Sequence, residues 1–244
     1  MNSDIELDAQ ADDQKLLAQV VEYYQRSLKS SPEALDYLRG RGITHGQAIE
    51  QFRIGYGNRT LGLKLPNKDR KVGRELRARL EALNVFRAKT GHEHFNGCVV
   101  FPIFAADGTR QIVDIYGRKI LGRKLKKRCL LDLHLNDQRR GVWNLEAFGG
   151  RGGEIILCPS IFDALTFWCH GFRNVTCMFS KDAVSDDHLA AFREFNIKRV
   201  LTPCEAVTPK LVEAGIDCFL LKFPSGLDAN SYVLQIKGGN KGVR

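Results

Sequence analysis

The sequence predicts an α/β protein in which a mixed α+β part is followed by a parallel sheet flanked by helices. After residue 151, short apolar strands alternate with helices along the chain. The strands are predicted at 154–158, 174–178, 198–202 and 217–221, and the helices at 160–170, 185–196 and 207–214. Such alternation is typical of parallel sheets. The glycine-rich stretch 149–153 before it predicts a hinge or tight connection.

The first half of the chain is predicted to be mainly helical. Residues 1–13 carry five acids and no bases, which favours a disordered leader or the end of a linker. Residues 14–29 have the apolar spacing of an amphipathic helix. A second helix begins at Pro32 and stops near Gly40, and a short third helix ends at Phe52.

A strongly basic helix and a hairpin follow. Residues 67–84 predict a helix with Val72, Leu76, Leu80 and Leu83 on its buried side and cations elsewhere. Cys98–Phe104 and Arg110–Tyr116 predict two strands joined by a turn around Asp107–Gly108. We therefore expect three regions, which are the leader 1–13, a basic subdomain over 14–150 and the parallel-sheet domain 151–244.

The net charge of +9 predicts a polyanionic partner if the charge is concentrated on one surface. Residues 59–89 hold ten Lys or Arg against three acids, and residues 110–128 hold eight against Asp114 alone. From Arg151 onward, eleven bases face ten acids. This uneven distribution favours a basic face in the first half, although the basic segment 67–84, taken alone, is more typical of a solvated helix surface.

The cysteine spacing argues against a zinc ribbon, and the hydropathy argues against a membrane span. Seven cysteines are scattered singly with no CxxC pair, so we expect no zinc and predict reduced thiols. The pair His92 and His94 brings no third ligand with it, so a turn is favoured over a metal site. With no signal peptide and no bilayer-length apolar run, we expect a cytoplasmic location and no membrane partner.

Segment 154–172, EIILCPSIFDALTFWCHGF, is the strand–turn–helix unit around which the second half is organised. Its apolar run Ile155–Leu157 is typical of a strand buried on both faces. Pro159 and Ser160 then break the run before an amphipathic helix. Active sites of open α/β sheets lie where such a strand ends.

These features occur together with sequence cues that resemble the catalytic core of bacterial-type DNA primases, above all the primase-like proteins of mobile elements. The cues appear in the same order as in that family and span residues 14–235. They are SPEALDYLRGRGIT, FRIGYGN, FNGCVVFPIF, YGRKI, RRGVWNLEAF and FPSGLDANSY. From the sequence we expect no counterpart of the zinc-binding domain that precedes the core in that family.

The resemblance implies a Toprim-like domain over 151–244 and a nucleotidyltransferase activity that makes RNA primers for DNA replication. Carboxylates at the strand ends would hold divalent metals that bind a nucleoside triphosphate. The basic subdomain would bind single-stranded DNA or an RNA–DNA hybrid. A further partner would be a replication or mobile-element protein.

This sequence departs from the family at its acidic positions. Pro159 occupies the place of the family's first Glu, and Val207 occupies the second position of its Asp-x-Asp. Glu205 and Asp228 remain as the expected catalytic and metal-binding residues, a pair that implies only a weak, mostly hydrated Mg²⁺ site. Asp163 also remains, but it equally suits a helix-dipole role, as Asp228 suits a helix cap.

The resemblance also assigns the template-binding residues and marks further departures. An Arg expected near the start of the FPIF strand is replaced by Asn96 or Gly97. Arg118 is retained, though an ion pair would explain it equally well. The expected nucleic-acid-binding residues are Arg74, Arg77, Arg118, Lys119, Lys126, Lys127, Arg139 and Arg140.

The sequence leaves three hypotheses. The first is a primase-like protein that binds single-stranded DNA with impaired or lost primer synthesis, which the degenerate acidic set favours. The second is an active, metal-dependent primase, which the extent of the resemblance favours. The third is a non-catalytic module of a mobile element that binds a protein partner.

Overall fold

The computed structural model describes residues 7–120, 131–150, 152–180 and 182–239. The chain divides into two compact units that interleave in sequence. The first comprises 1–37, 49–103 and 111–139, and the second comprises 38–48, 104–110 and 140–244. Residues 140–150 fall in the second of these units.

The first unit is built on a four-stranded sheet in the order β1-β2-β3-β4. Its strands are β1 (Gly55–Tyr56), β2 (Cys98–Phe104), β3 (Ile112–Lys119) and β4 (Asp132–His134). β1 runs antiparallel to β2, and β3 runs antiparallel to β4. The predicted hairpin is present as β2 and β3, and the Asp107 side chain accepts the Thr109 N–H in the connecting turn at 3.0 Å.

Helices α1 (Asp13–Lys29), α2 (Pro32–Gly40) and α3 (Gly46–Gln51) agree with the three predicted N-terminal helices. α1 begins at an Asp12 cap, whose side chain accepts the Lys15 N–H at 2.8 Å. Its apolar face packs on β1, where the backbone approaches so closely that a Cβ on Gly55 would lie 2.6 Å from the Cβ of Tyr24.

Part of the segment predicted as a disordered leader makes packed contacts. Leu7 and Ala11 are buried, and the Arg79 guanidinium donates to the carbonyls of Ala9 at 3.0 Å and Ala11 at 2.7 Å. The acidic composition gave no sign of these contacts. Residues 1–6 of the predicted leader lie outside the described residues.

Helix α4 (Lys71–Ala82) is shorter than the predicted 67–84, and its buried side differs. Val72 was expected on that side but is 46% exposed, whereas Gly73 is buried with Leu76 and Leu80. The preceding turn, in which the Arg70 N–H donates to the Asn67 carbonyl at 3.0 Å, makes Lys71 the first helical residue. Gly73 of this helix therefore lies against the backbone of Pro66 and Asn67.

The second unit contains the predicted parallel sheet. Its strands are β5 (Glu154–Cys158), β6 (Val175–Cys177), β7 (Arg199–Thr202) and β8 (Asp217–Leu220), and all neighbouring pairs are parallel in the order β6-β5-β7-β8. The helices are α5 (Ile161–Cys169), α6 (Asp186–Glu194), α7 (Thr208–Glu213) and α8 (Ala229–Gly239). All four strands and the first three of these helices were predicted.

The second unit's core joins one face of this sheet to α6 and α7. Ile155, Leu157 and Val200 of the sheet form one buried cluster with Phe192 of α6 and Leu211 of α7. Helix α5 instead packs against α8. Within the described residues, no helix is both long enough and apolar enough to cross a membrane.

Candidate nucleic-acid interface and sheet-edge site

Two cations of the first unit meet at Asn96. The Arg59 guanidinium donates to the side-chain oxygen of Asn96, and the Lys119 ammonium donates to its backbone carbonyl. Lys119 is the last residue of β3, and Arg59 lies just after β1 with a left-handed φ of 72°. The resemblance expects an Arg at the place of Asn96 or Gly97, and Arg59 and Lys119 bring positive charge to Asn96.

Arg118 makes a two-pronged ion pair with Asp132 across β3 and β4. Its Nη1 lies 2.8 Å and 2.9 Å from the two carboxylate oxygens, and its side chain is 23% exposed. The Tyr116 hydroxyl donates to the same carboxylate. Because Asp132 neutralises it, Arg118 has less positive charge to offer a phosphate than the sequence suggested.

The two predicted arginines of α4 are anchored by main-chain carbonyls. Arg74 is exposed and donates to the Asp69 carbonyl at 2.8 Å. Arg77 is half-buried and donates to the Gly62 carbonyl at 3.1 Å, so it braces the 3-10 helix Leu61–Lys64. Exposed cations nevertheless follow one another along this stretch, and they are Arg59, Lys64, Lys68, Arg70, Lys71 and Arg74.

The remaining predicted contacts are less defined. Lys126 and Lys127 lie outside the described residues. Arg139 and Arg140 are exposed, the first closing the first unit and the second belonging to the second unit. They stay predictions.

The predicted metal ligands Glu205 and Asp228 belong to the second unit. Glu205 is exposed and begins a 3-10 helix, Glu205–Val207, just after β7. Asp228 is exposed, and its carboxylate accepts the Ser231 N–H at 2.7 Å in the first turn of α8. This is the capping role that the sequence left open for Asp228.

Asp163 is the buried acid of this region, with 2% of its surface exposed. One carboxylate oxygen accepts the Ser160 hydroxyl at 2.6 Å, and the other accepts the Asn230 N–H at 3.0 Å. Burial raises the pKa of Asp163, while these two hydrogen bonds act in the opposite direction.

The residues present do not fit a magnesium centre. Within the described residues, no group of three or more His, Cys, Asp or Glu side chains is arranged to hold a metal ion. Asp163 already has a hydrogen-bond donor on each carboxylate oxygen, and Asp228 caps a helix. Magnesium at nucleotide sites is held by one or two carboxylates that also face the substrate phosphates, with waters completing the octahedron, and the buried Asp163 and the helix-capping Asp228 are poorly placed for this.

Sequence reasoning missed the roles of Arg59 and Asn230. Arg59 lies in the basic stretch 59–89 and Asn230 in the cue FPSGLDANSY, but the sequence predicts neither as a site residue. Their partners Asn96, Asp163 and Arg41 are 37, 67 and 189 residues away in sequence. No local pattern in the sequence could have revealed contacts of this kind.

Comparison with known proteins finds DNA primases. Residues 23–129 match the family described as the N-terminal domain of the DNA primase catalytic core. The resemblance to bacterial-type primase catalytic cores is confirmed. A DNA primase of Clostridium acetobutylicum is 24% identical over 222 residues, which cover 86% of this chain and 37% of that protein. The primase-like chain thus spans well under half of that relative's length.

Solved structures establish the fold of the primase-like chain. The zinc-binding and RNA polymerase domains of Aquifex aeolicus primase superpose with a TM-score of 0.73 at 22% identity, covering 97% of this chain and 62% of that one. A primase catalytic domain bound to single-stranded DNA gives a TM-score of 0.69 at 16% identity, covering 94% of this chain and 79% of that one. The mixed α+β part and the helix-flanked parallel sheet are therefore as predicted.

Proposed function

We propose that this chain is a primase-like protein that binds single-stranded DNA through its first unit and has impaired or lost primer synthesis. The observation that carries the proposal is the convergence of Arg59 and Lys119 on Asn96, beside a run of exposed cations over residues 59–74. In this proposal residues 14–150 form the basic subdomain, residues 151–244 form a Toprim-like domain, and the protein acts in the cytoplasm.

Single-stranded DNA suits this surface for an electrostatic reason. Lys and Arg gain free energy when they displace the counterions condensed on phosphates. Hydrogen bonds from Arg59 and Lys119 to Asn96 fix both cations in place, which lowers the entropy cost of meeting a phosphate. A solved structure with this fold is that of a primase catalytic domain bound to single-stranded DNA, which supports the proposal by likeness.

The loss of synthesis follows from the sheet edge. Nucleotidyl transfer depends on metal ions that neutralise the triphosphate and orient it for in-line attack. With Pro159 and Val207 at two acidic positions and Asp228 capping a helix, the described part of the second unit offers such ions at most a weak, largely hydrated site at Glu205 and Asp228. Binding of the template does not need these ligands.

Fluorescence anisotropy of a labelled single-stranded oligonucleotide tests the proposal. The logarithm of the association constant should fall linearly with the logarithm of salt concentration. The double variant R59A/K119A should bind more weakly, with a slope shallower by about 1.4, because each phosphate contact contributes about 0.7 on single strands. Arg118→Ala should have a smaller effect, and Lys126→Ala tests the predicted contact outside the described residues.

Arg193→Ala is the matched control, since it removes one exposed cation from α6 of the second unit. It should leave the slope unchanged. An affinity that does not respond to salt, or equal losses in the control and in Arg59→Ala, would overturn the proposal and favour the protein-binding hypothesis.

The active-primase hypothesis has its own test. Primer synthesis in Mg²⁺ or Mn²⁺ should be absent or feeble with this chain. Robust synthesis that Glu205→Ala or Asp228→Ala abolishes would show that these two residues act as metal ligands. The proposal that catalysis is impaired or lost would then be wrong.

A further inference from the structure

The carboxyl edge of the parallel sheet contains a buried polar cluster centred on Asn230. Asn230 is 1% exposed and lies in the first turn of α8. Its backbone N–H donates to Asp163 at 3.0 Å, and its side-chain amide donates to the Thr166 hydroxyl at 2.8 Å. Helix α8 is therefore tied to α5 through both the backbone and the side chain of one residue.

The same asparagine also holds a distant segment. Its amide donates to the Arg41 carbonyl at 2.8 Å, and its side-chain oxygen accepts from the Arg41 guanidinium at 3.1 Å. That guanidinium lies over the Phe162 ring, 5.1 Å from its centroid. Residues 38–48, which belong to the second unit despite their early place in the chain, are thus fastened to α5 and α8 by this cluster.

Asn230 makes hydrogen bonds with all its side-chain polar groups and with its backbone N–H. Both side-chain N–H donors, the side-chain oxygen and the backbone N–H each have a protein partner. Asp163 likewise has a donor on each oxygen, from Ser160 and Asn230. A buried carboxylate without such partners would be costly, and here the uncharged donors of Ser160 and Asn230 supply them.

We propose that hydrogen bonds from Asn230 and Ser160 do at Asp163 what a bound metal would otherwise do, making this edge of the sheet a metal-independent lock. The lock joins α5, α8 and residues 38–48. Asp163 is 2% exposed, so a divalent ion could reach its carboxylate only if this cluster opened and the contacts of Ser160 and Asn230 were disturbed. Asp163 thus has a structural role and does not bind a metal.

This inference concerns the second unit and stands independently of DNA binding by the first. Its test is thermal unfolding with and without 10 mM MgCl₂ or MnCl₂ (roughly the excess at which a weak carboxylate site fills), with ionic strength matched by NaCl. The Tm of the natural chain should not respond specifically to either divalent ion. A saturable rise in Tm that Asp163→Asn removes would overturn the proposal.

Variants of the lock test its structural role. Asn230→Ala should lower Tm by about 5–10 °C, because it leaves Thr166 on α5 and Arg41 in residues 38–48 without their hydrogen bonds to the Asn230 side chain, while the backbone bond to Asp163 remains. Asn174→Ala is the matched control, since Asn174 makes one side-chain hydrogen bond, to the Glu154 carbonyl at 3.1 Å in the same unit. Equal, small shifts in the two variants would also overturn the proposal.

The conservative change Asp163→Asn distinguishes the lock from a charge requirement. The Asn oxygen still accepts the Asn230 N–H, and its amide donates to Ser160, so Tm should fall less than in Asp163→Ala. If Asn230→Ala does not fold, the metal response of the natural chain and this pair of Asp163 variants decide the proposal. None of these measurements uses DNA, so their outcome does not depend on whether the chain binds DNA.

Discussion

For Gly73→Ala in helix α4, the sequence predicts a gain in stability, whereas the structure predicts a loss. On helix propensity alone, replacing an interior Gly by Ala stabilises a helix by about 1 kcal/mol. In the structure, a Cβ at position 73 would lie 2.1 Å from the Asn67 carbonyl oxygen and 2.7 Å from that of Pro66. Both are backbone atoms of the turn that starts the helix, so neither can rotate away.

The expected magnitude follows from these two terms. Relieving the overlap requires the turn or the helix to move by about 1 Å, at a cost of about 3 kcal/mol, which is typical of overpacking. After the gain in propensity, the net loss is about 2 kcal/mol, equivalent to a fall in Tm of about 4–8 °C. Since α4 carries Arg74 and Arg77, the displacement should also weaken DNA binding.

Urea unfolding followed by circular dichroism measures this loss, and Gly40→Ala is the matched control. Gly40 ends helix α2, and a Cβ there would meet nothing within 4 Å, so the control should be neutral or slightly stabilising. If Gly73→Ala is as stable as the natural chain, the close approach of α4 to residues 66 and 67 is wrong.

Three further predictions follow from single contacts. Burial raises the pKa of Glu93, so the stability that the protonated side chain contributes is present below pH 4.5 and is lost as the pH rises through the raised pKa. In urea unfolding, the free energy of unfolding of Glu93→Gln should therefore rise relative to that of the natural chain as the pH increases toward 7. A difference that does not change with pH would contradict this. Burial lowers the pKa of His188 to about 4, so stability should fall by about 3 kcal/mol as pH drops from 6.5 to that value, and His188→Gln should flatten the profile. Asp132→Asn frees Arg118 and should tighten single-strand binding, with a salt slope steeper by about 0.7, whereas weaker binding would show that the ion pair itself is needed.

The fold of the second unit was predictable because its signals are local. Each strand is a short apolar run, and caps such as Ser160, whose hydroxyl accepts the Asp163 N–H at 3.2 Å, mark where helices begin. The start of α4 was not predictable in the same way. Cations extend across residues 67–71, but the turn after Pro66 decides where the helix begins.

The sites depend on contacts that no local pattern contains. The sequence identified Pro159 and Val207 as departures, and it left Asp228 open between a metal ligand and a helix cap. It could not show that Asn230 bonds to Asp163, or that Arg59 and Lys119 share Asn96, because these partners meet only after folding. For the same reason, the Asp132 partner of Arg118 could not be identified.

The most direct test of binding without polymerisation compares single-strand affinity in EDTA and in Mg²⁺ at matched ionic strength, with primer synthesis assayed in the same samples. We predict that Mg²⁺ does not raise the affinity, that the salt slope is negative in both, and that no primers form. An affinity that requires Mg²⁺, or primers that appear with it, would contradict the account, because the sheet edge would then hold the metal that its residues do not fit.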